Sequence, residues 1–307
     1  MNKNTLFSSY YKYWIHQYKD GAVRRVTLDK YNLVLRELEN RVPHLRLKDL
    51  DHFTYQKLIN EYALNHERLT VRDFHHHCKS AIMDALEDGL IEKDPTRHLI
   101  LKGKDPKPKK IKYLSLLELK KLILKFDLNH GLNIDWLLLL ISKTGMRYAE
   151  ALGITPQDFD FENETLNISK TWDYKSKNGG FQPTKNKSSV RIIKLDPITC
   201  EQFAELINEI PKNQPIFLYN NSKLYTSTVN YHLKRYCEKA DIPIISVHGL
   251  RHTHASLLIY DGVSIPSVAK RLGHANTITT QNTYLHVVKE LETKDNHKII
   301  ENMIRLA

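Results

Sequence analysis

Residues 248–258 read HGLRHTHASLL, and residues 271–287 read RLGHANTITTQNTYLHV. Upstream lie TGMRYAEAL at 144–152 and PTKNKSSVRIIKL at 183–195. His248 and Arg251 are three residues apart, so on a helix they share one face. Lys185 and Lys187 fall in a polar turn ahead of a strand-like run. Arg147 stands near a helix start, where a lone arginine is ordinarily a surface or salt-bridge residue. Tyr284 alone is an ordinary half-buried tyrosine. The reading rests on the order and spacing of the whole set.

The sequence around these stretches predicts mixed secondary structure. Ser115 with Glu118 three residues on is a capping-box signature, giving a helix to about Phe126. The leucine run predicts a buried helix over Ile134–Lys143. Asp158–Phe161 and Thr165–Thr171 alternate around a Glu-Asn-Glu turn, and Val190–Leu195 reads as a third strand. Asp196-Pro197 pairs an N-cap with proline at the first helical position. Helices dominate from there on, and no internal repeat is visible.

The N-terminal third reads as all helix. Leu6, Tyr10, Trp14 and Tyr18 recur every four residues beside Phe7, Tyr11 and Ile15, forming one apolar stripe. Thr27 serves as an expected N-cap for a helix to about Val42, ended by Pro43. Further helices fit Tyr55–Asn65 and about Thr70–Gly89, the latter with Val71, Phe74, Cys78, Ile82 and Ala85 on one face. His75, His76 and His77 precede Cys78 but point about 100° apart on a helix. They cannot converge on one ion, and polar-face or phosphate-facing positions are expected for them.

With 307 residues the chain is long enough for two domains, and its net charge is +11. The densest positive charge is Lys104–Lys112 (KDPKPKKIK), five lysines and one aspartate. Its prolines hold it extended. It reads as a stiff basic linker between residues 1–103 and 113–307, with Lys104, Lys107, Lys109, Lys110 and Lys112 able to lie along a phosphate backbone. Three cysteines are too few for a disulfide framework or a four-cysteine zinc site. The longest apolar run, Trp136–Ile141, is far short of a membrane span. The N-terminus lacks the apolar core of a signal peptide. A soluble, cytoplasmic protein of a reducing compartment with a polyanionic partner is expected.

Taken together, the four stretches resemble the tyrosine recombinases, or phage integrase family, and the wording is similar to integrases of Gram-positive phages, conjugative transposons and genomic islands. The resemblance spans essentially the whole chain. It implies a mainly α fold with a small antiparallel sheet. A helical core-binding domain at 1–103 would be joined by the linker to a mixed α+β catalytic domain at 113–307, the two forming a clamp on duplex DNA. It also implies roles. Arg147 and Arg251 would hold the non-bridging phosphate oxygens with paired hydrogen bonds. His248 and His274 would donate to the phosphate, His248 also assisting proton transfer with Tyr284. A lysine would protonate the leaving 5′ oxygen; this is assigned to Lys185, with Lys187 as rival. Tyr284 would be the nucleophile, giving a 3′-phosphotyrosine. Glu150 would orient the cluster. No cofactor or metal is expected, since positive side chains do the electrostatic work.

By the same resemblance the expected partner is double-stranded attachment-site DNA. Four protomers would act through a Holliday junction, nucleoid-associated when on DNA, with an excision or directionality factor as a further expected partner. The apolar tail face of Ile299, Ile300, Met303, Ile304 and Leu306 would dock on a neighbouring protomer. His252 and His254, inside the motif, read as helix packing residues. Gly249 stands where the family usually has Asp, and Lys194 where many relatives have Pro; both imply local differences only. The first helix begins within a few residues of Met1, so an additional arm-site DNA-binding domain is not expected. Two other readings stay open. One is a housekeeping recombinase resolving chromosome dimers. The other is a catalytically inactive DNA-binding regulator on the same fold.

Overall fold

The computed structural model describes residues 1–106, 113–176, 178–218, 223–284 and 304. The chain forms two compact units, Met1–Lys109 and Lys110–Ala307. Four of the five linker lysines (Lys107, Lys109, Lys110 and Lys112) lie outside the described residues, as does the tail apart from Ile304. Lys104 is not part of a free linker: its N–H donates to His66 O at 2.9 Å and its carbonyl accepts from Arg68 N. The adjoining Gly103, at φ +156°, passes so close to Arg68 that a Cβ would lie 2.6 Å from its backbone nitrogen. Backbone pairing therefore draws Lys104 into the first unit.

That unit packs four helices: α1 (Phe7–Tyr18), α2 (Arg25–Arg41), α3 (His52–Ala63) and α4 (Arg68–Glu87). The aromatic stripe of α1 buries Phe7, Tyr10, Tyr11 and Trp14, while Tyr18 stays exposed. The α2 helix starts two residues before the expected cap: Arg24 is the N-cap with no side-chain cap bond, and Thr27 lies in the first turn. The histidine triplet departs from the expected polar face. His75 is buried with Nδ1 3.0 Å from Tyr55 Oη, and burial pushes its pKa down to about 4. An α-helical step of 100° carries one of three consecutive residues toward the core whenever the apolar stripe is wide.

The second unit opens with α5 (Leu116–Ile123), whose Ser115–Glu118 capping box is formed in both directions. Then come α6 (Ile134–Thr144) and the short α7 (Tyr148–Leu152). Strands β1 (Phe159–Asp160), β2 (Thr165–Ile168) and β5 (Arg191–Lys194) make one antiparallel sheet in the order β1-β2-β5. Phe159 pairs with Leu166, which pairs with Ile193. The run expected to continue to Thr171 instead breaks after Ile168. Residues Lys170–Trp172 form β3, which pairs with β4 (Phe181–Pro183) as a separate hairpin. Helices α8 (Pro197–Leu206), α9 (Thr226–Lys239), α10 (Val247–Tyr260), α11 (Ile265–Leu272) and α12 (Thr277–Thr283) complete the described part.

The core of this unit is α6, whose Leu137, Leu138, Leu140 and Ile141 are fully buried, against Leu166, Ile168, Phe203, Leu233 and Leu250. A smaller cluster of Ala255, Ile259, Val268 and Leu272 surrounds Tyr284. Two glycines in the left-handed region end helices beside these cores. Gly145 (φ +67°) closes α6, and a Cβ there would sit 2.5 Å from the His254 ring. Gly273 (φ +69°) closes α11, and a Cβ there would sit 3.0 Å from Ser189 Cα. A side chain at either position meets both strain and collision.

Candidate active site

The two glycine turns do more than end helices, because each presents a carbonyl to an arginine. Arg251, on α10, donates from Nη1 to Gly145 O at 2.7 Å and from Nη2 to Leu272 O at 2.8 Å. Arg147, the N-cap of α7, donates from Nη2 to Gly273 O at 3.2 Å and from Nη1 to Ser189 Oγ at 3.2 Å. The guanidinium groups are thus fixed by the ends of α6 and α11, elements far from them in sequence.

Glu150, one turn into α7, is the carboxylate of this cluster. Its side chain accepts from Arg147 N (2.8 Å), Arg147 Nη1 (2.6 Å) and Arg191 Nη2 (3.0 Å). Burial works against its charge, yet Arg191 and Arg147 hold its carboxyl below the usual range. Arg191 in turn donates to Ser189 O and Arg271 O. Three arginines, Arg147, Arg191 and Arg251, therefore act on one another around Glu150. Arg251 is 3% exposed, and burial together with Arg147 and Arg191 pushes its pKa down to about 9. A buried guanidinium that meets carbonyls and like charge gains when an anion arrives. Arg147, partly exposed, leaves that cluster open to solvent on one side.

The histidines divide into two kinds. His254 is buried: Nδ1–H donates to Ser142 O at 3.0 Å, and Nε2 accepts from Arg271 Nε at 3.0 Å. Both ring nitrogens are satisfied in the neutral form, and burial pushes its pKa down to about 3. It is a packing residue, as expected. His274 is half-buried with Nδ1 2.7 Å from Thr280 Oγ1, and burial, then Arg251 and Arg147, push its pKa down to about 4. A neutral imidazole accepting from Thr280 keeps Nε2–H as a donor. His248 is exposed on the first turn of α10, its ring 4.7 Å from that of His252.

Tyr284 follows α12 and is 1% exposed. Burial pushes its hydroxyl up to about 12, against a lowering by Arg251. Its Oη lies 3.1 Å from His252 Nδ1. This corrects the reading of His252 as a packing residue: Arg251 and His252 are adjacent on α10, so one faces the guanidinium cluster and the other the tyrosine. Lys185 and Lys187 are both exposed, Lys185 between β4 and a single 3-10 turn that Lys187 begins.

Two residues that sequence reading missed are Arg191 and Arg271. Arg191 carried a signal, since it stands in phase with Ile193 on the buried side of β5; an arginine on the inward face of a strand requires a partner. Arg271 donates to the carbonyls of Lys194 and Lys143, tying α11 to the sheet and to α6. No group of three potential metal-ligating side chains occurs among the described residues.

This arrangement of guanidinium groups, imidazoles and a buried phenol can hold a phosphodiester and attack it. The comparisons point the same way. The chain is 25% identical to an integrase of Staphylococcus phage L54a over 333 aligned positions, covering 97% of this chain and 93% of that one. It is 26% identical to the transposase of transposon Tn916 of Enterococcus faecalis, over 84% of this chain and 66% of the relative. Among solved structures it resembles the Tn1549 transposon integrase in complex with a circular intermediate DNA, with a TM-score of 0.76 at 19% identity over 91% and 94% of the two chains. A lambda integrase tetramer bound to a Holliday junction gives 0.66 at 14% identity over 90% and 79%. The profile of the phage integrase family matches residues 112–290, more than half of the sequence and all of the site described above. The chain therefore belongs to the phage integrase family.

Proposed function

We propose that this protein is a site-specific DNA recombinase of a mobile element, cutting and rejoining DNA through a 3′-phosphotyrosine. The observation that carries this reading is a cluster of three arginines, two of them paired with the Glu150 carboxylate, beside a buried tyrosine. In the proposed reaction Arg147 and Arg251 hold the non-bridging oxygens of the scissile phosphate. Their charge opposes the negative charge that builds there in the transition state. His274 and His248 donate further hydrogen bonds. Tyr284 Oη attacks phosphorus, and the 5′ oxygen leaves with a proton from Lys185, or from Lys187. The bond energy is kept in the protein–DNA link, so rejoining is the reverse displacement by another 5′-hydroxyl.

The relatives favour mobile-element biology over chromosome-dimer resolution. They include the phage L54a integrase, the Tn916 transposase and, at 30% identity over 47% of this chain, the ICEBs1 integrase of Bacillus subtilis. An inactive regulator is disfavoured because Arg147, Arg251, His274 and Tyr284 all stand in one site. In the proposed assembly residues 1–104 bind the core site, the basic stretch that follows, to Lys112, lies on phosphates and 113–307 catalyse. Four protomers exchange strands through a Holliday junction, with the tail docked on a neighbour and an excision factor setting direction. No helix among the described residues is long and apolar enough to cross a membrane.

The test is a nicked suicide duplex spanning the attachment site, in which the short 5′ product diffuses away and the covalent adduct accumulates. Tyr284→Phe removes one oxygen and is expected to bind DNA normally while forming no adduct. An adduct from the Phe variant would end the assignment and move the search to Tyr231, Tyr236 or Tyr260.

A further inference from the structure

A buried phenol must give up its proton to become a nucleophile, and the position of that proton's acceptor is set by geometry. Tyr284 is 1% exposed, so bulk water is not at hand. Its hydroxyl is pushed up to about 12, so it is protonated at neutral pH. The family resemblance gives proton transfer to His248, and the structure sets a second ring, that of His252, at the hydroxyl. His252 Nδ1 is 3.1 Å from Tyr284 Oη, within the reach of a general base. The two rings lie 5.7 Å apart at 65°, an edge-on arrangement that lets a ring nitrogen meet the phenol oxygen. His274 Nδ1 is engaged by Thr280. His248 packs edge-on against His252 from the exposed start of α10.

We propose that His252 is a catalytic residue: its Nδ1 accepts the Tyr284 proton as the hydroxyl attacks DNA. The proposal rests on Tyr284 being the nucleophile. In the step, the phenol O–H bond breaks and the proton moves to His252 Nδ1. The phenolate oxygen bonds to phosphorus while the bond from phosphorus to the 5′ oxygen breaks, and that oxygen takes a proton from the lysine. His252 is then an imidazolium next to Arg251 in sequence, a position that the DNA phosphate makes tolerable. On rejoining, the incoming 5′-hydroxyl gives its proton back to the lysine and displaces the tyrosine, and the proton on His252 returns to Oη.

The experiment uses the full chain and the nicked duplex under single-turnover conditions. Glutamine at 252 can still hydrogen-bond the hydroxyl but cannot take up a proton. His252→Gln is expected to form adduct about 10²–10⁴-fold more slowly than wild type, with DNA binding and melting temperature unchanged. Placing 3,5-difluorotyrosine at 284 makes the phenol more acid and the base dispensable. The deficit of His252→Gln should then shrink at least about tenfold, while that of His248→Gln should not. A His252→Gln rate close to wild type overturns the proposal. So does a deficit that fluorotyrosine leaves unchanged, because His252 would then only place the ring. His252→Asn is a second polar variant should glutamine perturb folding. Wild-type protein gives an independent reading through ¹⁵N-labelled histidine, with the His252 signal identified by its shift in Tyr284→Phe. Nδ1 is expected to be the unprotonated nitrogen in the free protein, and a protonated Nδ1 overturns the proposal. An adduct from Tyr284→Phe in the same assay would mark failure of the nucleophile assignment instead.

Discussion

Replacing Glu150 by glutamine keeps the shape of the side chain and removes the carboxylate that the arginine cluster shares. The carboxylate is 1% exposed and accepts three hydrogen bonds, two from Arg147 and one from Arg191. Hydrogen bonds to charged groups contribute about 1.5–3 kcal/mol each. Glutamine retains one oxygen acceptor, so part of this survives. It also brings an NH₂ donor into a space already filled with guanidinium donors. Breaking one side of a buried ion pair costs about 3–5 kcal/mol, and that is the expected destabilisation of the second unit. For a unit of this size the shift corresponds to a melting temperature lower by roughly 6–20 °C. The loss should shrink when inorganic phosphate or tungstate is added, since an anion can stand in for the missing charge, and wild type should gain less. Calorimetry on the full chain, with hydrogen exchange to show that the first unit is unaffected, measures both effects. A loss below about 1 kcal/mol, with no differential rescue by anions, would refute the reasoning that Glu150 neutralises this cluster.

Arg251→Lys keeps the charge but can reach only one of the two carbonyls, Gly145 O and Leu272 O, now held by the fork. Adduct formation should fall at least about 10²-fold while DNA binding changes little; equal losses in both would make the arginine a binding residue only. Lys185→Ala should stop cleavage of ordinary DNA, and a 5′-thio leaving group, which departs without a proton, should restore it; rescue of Lys187→Ala alone would move the general acid by two residues. Acid should destabilise the second unit through His254. Its folded pKa of about 3 lies below the unfolded value of 6.5, so its stabilisation is fully present above pH 6.5 and lost as pH falls toward 3. Between pH 7 and pH 5 the loss is about 2 kcal/mol. Urea titrations of wild type and His254→Gln check it, since the variant should lack that part of the slope.

Much of the architecture was legible because it is written in local patterns. The stripe of α1, the capping box at Ser115, the leucine run of α6 and the Asp196-Pro197 start of α8 each lie within a turn or two of chain. The motif order around Arg147, Arg251, His274 and Tyr284 was enough to place the family. The hairpin of β3 and β4 escaped because its strands are three residues long and show no alternation of burial. With no buried face there is no period of two to read.

The sequence by itself determined which residue types the site has and which helices and strands carry them. Only the tertiary structure decided their partners. Tyr284 meets His252 across 32 positions, Glu150 meets Arg191 across 41, and Arg251 meets the Gly145 carbonyl across 106. Neither helical nor strand periodicity relates residues so far apart. Such contacts follow from how α6, α7, α10, α12 and β5 pack. One residue can turn on that packing: Arg251 and His252 are neighbours in sequence, yet the 100° step of α10 sends one to the arginine cluster and the other to the tyrosine.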